Sequence, residues 1–197
     1  MTVDTNRLRA TLGWLGMILP WIVVVLTHGF PPSISATYYT NAVAVFMIIL
    51  GSAGILLICY KGYSWVDDLI FTASGIFGIG ICLFPCSTEL FDIVGTFQLP
   101  VKVSGIIHNT CAACFFTLLS VSSLFLFTKS DGNPTKKKKI RNIIYRVCGV
   151  GMVGSFLLFL LPDFYIKTWL IETIALFFFG VSWLTKANIY KFLFCDD

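Results

Sequence analysis

Five positive charges fall within the six residues Lys136-Lys137-Lys138-Lys139-Ile140-Arg141, and this stretch lies between two long apolar runs. Lysine and arginine are retained on the cytoplasmic side when a membrane protein inserts. The stretch therefore predicts a cytoplasmic loop, and the orientation of every other segment follows from it. The composition agrees with a chain solvated by lipid: 57% of residues are hydrophobic and 12% charged, against about 25% charged in a soluble domain.

Apolar runs cover residues 12–27, 42–60, 69–85, 103–128, 143–161 and 166–184. A bilayer core takes about 20 helical residues, with roughly 17 sufficient. The expected fold is all-α: a single domain over 1–197, an integral membrane bundle of six transmembrane helices with both termini cytoplasmic. That topology places Arg7, Arg9, Lys61, Lys129, Lys136, Lys137, Lys138, Lys139, Arg141, Arg146, Lys186 and Lys191 on the inner side and only Lys102 and Lys167 outside. The first run is expected to stay as a span. Its rival reading is a signal peptide, with Ser33 and Ser35 as small residues before a cleavage at Ala36, which would leave five spans in the same orientation.

The loops differ in character. His28 to Tyr39 is rich in proline and tyrosine and predicts a stiff cap at the outer interface. Between Cys86 and Lys102, the residues Leu90, Phe91, Ile93, Val94, Phe97 and Leu99 predict a short helix on the membrane surface. Asp131-Gly132-Asn133-Pro134 reads as a turn. Asp67 and Asp68, at the start of the third run, read as helix-capping acids.

Ionisable residues inside apolar runs cost free energy and mark candidate sites. Glu172 lies six residues into the sixth run, and His108 at similar depth in the fourth. Cys82 and Cys86 are one turn apart, and Cys111-x-x-Cys114 follows one turn below His108. Thiolate and imidazole together suit soft metals, and paired cysteines suit thiol redox work, but cysteine also packs as a small apolar side chain. With only His28 and His108 in the chain, a His-rich zinc hydrolase is disfavoured, and no metal or other cofactor is expected. The spacing Gly149-x-Gly151-x-x-Gly154 matches a dinucleotide fingerprint, yet it lacks the preceding strand and reads as helix packing, as does Ser74-x3-Gly78-x3-Cys82.

Several phrases occur in a familiar order: Ser33-Ile34-Ser35-Ala36-Thr37-Tyr38-Tyr39, Tyr60-Lys61-Gly62-Tyr63 followed by Asp67 or Asp68, Leu83-Phe84-Pro85, His108, Leu126-Phe127-Thr128-Lys129, Lys139 to Arg146, and Phe179 to Lys186. In this the chain resembles uncharacterised bacterial six-span membrane proteins, near domain-of-unknown-function and Frag1/DRAM/Sfk1-like families. The resemblance implies a role in lipid organisation or sensing and a bacterial inner-membrane location. Cys82, Cys86, Cys111 and Cys114 are not part of it.

The expected site is an outward-facing polar pocket built from His108, Glu172, Cys111, Cys82 and Cys86 and roofed by Tyr38, Tyr39 and Ser35. It would bind a membrane lipid or small amphipathic ligand. The alternatives are a membrane thiol-disulfide oxidoreductase or, less favoured, a lipid hydrolase, and a small transporter or channel. Anionic head groups are expected partners of Lys136, Lys137, Lys138 and Lys139. Nucleic acid is not, since the charges sort by membrane side rather than onto one exposed face.

Overall fold

The structure, a computed structural model, describes residues 4–130, 133 and 135–189. Its helices are α1 (Thr5–Leu26), α2 (Val43–Cys59), α3 (Trp65–Leu83), α4 (Val101–Val121), α5 (Lys136–Gly154) and α6 (Lys167–Lys186). A π-turn carries α4 on to Leu126, and a 3-10 turn carries α5 on to Leu160. Among the described residues, five of these helices are long and apolar enough to cross a membrane, and α2 is a shorter apolar helix. The first helix starts well before the apolar run because Asp4 caps it, accepting from the Asn6 N–H at 3.0 Å. Ser64 caps α3, and Asp67 returns the favour by accepting from the Ser64 hydroxyl and the Tyr63 N–H. The acids before the third run are thus capping residues.

Helices adjacent in sequence are adjacent in space, and α6 closes the ring against α1. Small residues permit close crossings: an added Cβ at Gly54 would meet the Gly75 carbonyl oxygen at 3.0 Å, so α2 and α3 touch backbone to backbone. Gly149 and Gly151 also admit close neighbours: Gly149 faces Ser120 of α4 and Leu124 of its extension, and Gly151 faces the Phe178 ring of α6. Polar glue is sparse; Ser123 and Ser182 share a hydroxyl hydrogen bond of 2.6 Å between the α4 extension and α6. Tyr60, Phe71, Phe127 and Trp183 interlock edge to face in the core. Outside, Ile18, Val25, Ile48, Ile76, Ile106, Phe125, Val150 and Leu157 are exposed. So continuous an apolar exterior suits a bilayer and not water.

Two expectations are corrected. The segment before α4 forms an antiparallel hairpin, β1 (Ile93–Val94) against β2 (Leu99–Pro100), rather than a surface helix. Gly95 takes a positive φ of 74° in its turn, a conformation that glycine enters freely and that a helix cannot accommodate. The lysine cluster is helical rather than a loop: Thr135 caps α5 by accepting from the Lys138 N–H at 3.2 Å, so Lys136 opens the helix. Lysine is a good helix former whose long stem keeps its charge in water. Lys191 and most of the 131–134 turn lie outside the described residues.

A candidate apolar groove and the two polar ends

At the end of the bundle away from the lysines, the chain between α1 and α2 crosses the top of α6 as a strap. Glu172 holds it, its carboxyl oxygens accepting from the Ile34 N–H at 2.5 Å and from the Ser35 hydroxyl at 3.1 Å. The backbone N–H of Trp169 donates to the Pro32 carbonyl at 3.1 Å, so the strap is fastened twice within one turn of α6. The 3-10 turn Ser35–Tyr39 continues it, and the Tyr39 hydroxyl donates to the Cys86 carbonyl at 2.7 Å, binding the strap to the loop after α3.

The expected single pocket is not assembled. Glu172 and Ser35 line a cavity of about 40 Å³ whose other walls are Leu19, Ile34, Phe46, Leu50, Ile81, Ala112, Phe115, Phe116 and Leu176. That space holds a few waters at most. His108, Cys82, Cys86, Cys111, Tyr38 and Tyr39 are not among its walls. The His108 ring donates through Nδ1 to the Phe84 carbonyl at 2.7 Å, while Ser104 donates to the Pro85 carbonyl at 2.8 Å. Both satisfy carbonyls left open where α3 ends, so His108 is a clasp between α3 and α4. Similar depth counted along the two apolar runs does not make Glu172 and His108 face each other.

The cysteines at 59, 82, 86, 111, 114 and 148 are free thiols. Burial pushes the Cys86 thiol up to about 12, with the negative charge of nearby Glu172 as a second cause. Cys111 packs its sulfur against Gly80, which places it in the α3–α4 contact. Tyr38 stacks edge-on against Tyr39 at 5.3 Å, and burial pushes the Tyr39 hydroxyl up to about 12 as well.

A larger space lies on the outer flank of the same helix. Met17, Pro20 and Trp21 of α1 and Trp169, Leu170, Thr173, Ile174, Phe177 and Phe178 of α6 enclose a groove of about 540 Å³. Its walls are almost wholly apolar. Trp169 is only 4% exposed, held edge-on by Trp21 at 5.8 Å and Phe30 at 4.9 Å. Its indole Nε1 is a buried donor with no hydrogen-bond partner among the described residues. A buried tryptophan N–H normally finds an acceptor, and leaving a buried donor unpaired costs about 1–3 kcal/mol. The Thr173 hydroxyl, which also faces the groove, is spent on the Trp169 carbonyl at 2.7 Å. No sequence signal singled out Trp169, because the groove exists only once α1 and α6 meet.

Two lysines at the ends of α6 are buried. Lys167, 6% exposed, donates to the Phe159 and Leu161 carbonyls and to Asp163, closing the end of the α5 extension with a cation. Lys186, 7% exposed, donates to the Tyr63 hydroxyl at 3.2 Å and sits 5.0 Å above the rings of Tyr63 and Phe127. Near it, Arg9 donates to the Tyr60 hydroxyl at 2.9 Å, and Lys129 pairs with Asp67, itself 1% exposed. Among the described residues, no group of three or more His, Cys, Asp or Glu side chains could hold a metal ion.

A family model described as "Protein of unknown function (DUF998)" matches residues 31–185. Neither the curated proteins nor the solved structures contain a match to the chain. The matched region runs from the strap to the last turn of α6, and so takes in the groove's α6 wall, the Glu172 fastening and the Lys129–Asp67 pair.

Proposed function

Because the chain belongs to the DUF998 family of proteins of unknown function, we propose its role from its own geometry: it is a multi-pass membrane protein that binds a lipid or small amphipathic ligand in the α1–α6 groove. The observation that carries this reading is an apolar groove of about 540 Å³ with the Trp169 indole N–H buried in its wall and, among the described residues, without a partner. That volume is in the range of ordinary ligand pockets, with apolar walls and a single placed polar group. The apolar chain of the ligand lies along Pro20, Ile174 and Phe177, and an ester or similar carbonyl accepts from Trp169. Trp169 stands two residues inside the end of α6, the level at which tryptophan meets the polar boundary of a bilayer. The interior cavity beside Glu172 is too small for such a ligand. Glu172 instead positions the strap whose Pro32 carbonyl and Phe30 ring fix Trp169.

We read the chain as crossing the membrane six times with both ends inside, since the cations gather at the end holding α5's first turn. A bacterial cytoplasmic membrane fits this reading, and a Frag1/DRAM/Sfk1-like relationship would agree with a role in lipid organisation.

Native mass spectrometry of the detergent-solubilised full chain tests the groove. With diacylglycerol, a lipid without phosphate, as the probe, wild type is expected to retain one molecule per chain. Trp169→Phe, which removes only the N–H and part of the ring, and Ile174→Trp, which fills the groove, should both lose it. Retention equal to wild type in both variants would refute the proposal.

A further inference from the structure

At the opposite end of α6, Tyr63, Lys129, Ser130, Lys138 and Arg141 line an open pocket of about 630 Å³. Lys138 and Arg141 are three apart on α5 and so share a face. Lys186 lies behind them, within Coulombic reach of Arg9, Lys138 and Arg141. Like charges brought together in a partly buried setting repel, and among the described residues Asp67 is the carboxylate that meets this group. It is already paired with Lys129.

Two details show donors left over. The Arg141 Nη1 donates to Asn188 at 2.5 Å, but among the described residues its buried Nε has no hydrogen-bond partner. The Tyr63 hydroxyl accepts from Lys186, which leaves its own proton to donate. An excess of cations and unspent N–H and O–H donors calls for an oxyanion with several acceptor oxygens, and guanidinium matches phosphate geometry well.

We propose that this pocket binds a phosphate group, carried by an anionic lipid head group or by a soluble phosphate. Of the cluster Lys136 to Lys139, only Lys138 lines the pocket; the others are left to the general attraction of a charged surface. The site is independent of the α1–α6 groove, which lies toward the other end of α6.

Two measurements on the solubilised full chain separate the sources: calorimetric titration with inorganic phosphate, and retention of phosphatidic acid in native mass spectra. Saturable one-site binding is expected in at least one arm. Phosphate alone would mark a soluble ligand, and phosphatidic acid alone a head group. Arg141→Gln and Lys138→Gln should each weaken the binding by roughly tenfold. Lys139→Gln removes the same charge outside the pocket and should weaken it by less than about twofold. Should Arg141→Gln fail to fold, Lys138→Gln carries the comparison. The proposal is overturned if neither arm saturates, or if Lys139→Gln weakens binding as much as the pocket variants. Because lipid held in the α1–α6 groove does not touch Arg141 or Lys138, loss in these variants is distinct from loss in Trp169→Phe.

Discussion

The carboxyl group of Glu172 accepts the backbone N–H of Ile34 at 2.5 Å, joining α6 to a strap 138 residues earlier in the chain. Hydrogen bonds to a carboxyl group that replace water at a buried backbone donor are among the stronger ones available to a fold. This one decides where Pro32, Phe30 and therefore the Trp169 ring sit.

Replacing Glu172 by alanine leaves the Ile34 N–H and the Ser35 hydroxyl without their acceptor. The expected loss is roughly 2–4 kcal/mol, with Glu172→Gln losing less than half of that because one carbonyl oxygen remains. Thermal unfolding in detergent reads the difference. Equal melting temperatures for wild type and Glu172→Ala would show that the strap is held by something else.

Gly54 and Gly75 make a paired prediction within α2 and α3. Gly75→Val drives a branched side chain into the backbone of the neighbouring helix and should destabilise by more than about 2 kcal/mol. Gly51 lies on the same helix as Gly54 but an added Cβ there meets nothing within 4 Å. Gly51→Ala should therefore be neutral or stabilise by up to about 1 kcal/mol through helix propensity. Similar effects at the two positions would contradict the packing.

Asp67 accepts from the Ser64 hydroxyl, the Tyr63 N–H and Lys129. Asp67→Ala removes all three at a buried position, and the cost is expected near 2–3 kcal/mol, mainly from the cap because Lys129 is partly solvated. Lys129→Gln should cost clearly less. The reverse order, measured by denaturation, would assign the stability to the ion pair instead.

Cys86 offers a test by pH. Only the thiolate reacts with maleimide, and with its ionisation pushed up to about 12 the reactive fraction at pH 8 is on the order of one in ten thousand. Labelling of Cys86 should be slow and rise about tenfold per pH unit through the alkaline range. Glu172→Gln removes the negative charge that disfavours the thiolate and should speed it. Rapid labelling of wild type at neutral pH, located by peptide mapping, would contradict the burial.

The helices were legible because each apolar run is long and separated from the next by charge or by proline and glycine. Their ends were less so: Asp4 and Thr135 begin α1 and α5 well outside the apolar stretches, since caps and lysine-rich first turns carry no hydropathy signal. The hairpin at Ile93 and Leu99 was misread because an alternating apolar stretch of this length fits either a surface helix or two short strands, and only the pairing across Gly95 decides. Glu172 and His108 could be placed at one depth from residue counts, whereas the direction each faces depends on helix rotation. The groove required α1 and α6 to meet across nearly the whole chain, and nothing local at Trp169 announces an unpaired donor. The basic pocket was half legible: the lysine run was evident, but Tyr63, Lys129 and Arg141 come from three separate stretches.

Helix α2 has 17 residues, which at 1.5 Å per residue gives a rod of roughly 25 Å. The hydrocarbon layer it would have to cross is about 30 Å thick. Lipids on that flank would have to shorten or splay to meet it, at a cost of a fraction of a kcal/mol per ångström. Helix α3, with 19 residues, falls short by much less, and the remaining helices reach across, so the mismatch would be greatest on one side of the ring. If α2 is the sixth span, a lopsided pinch of this kind would favour thin bilayers and short-chain or disordered lipids, giving the molecule a preferred neighbourhood in the membrane before any ligand is bound.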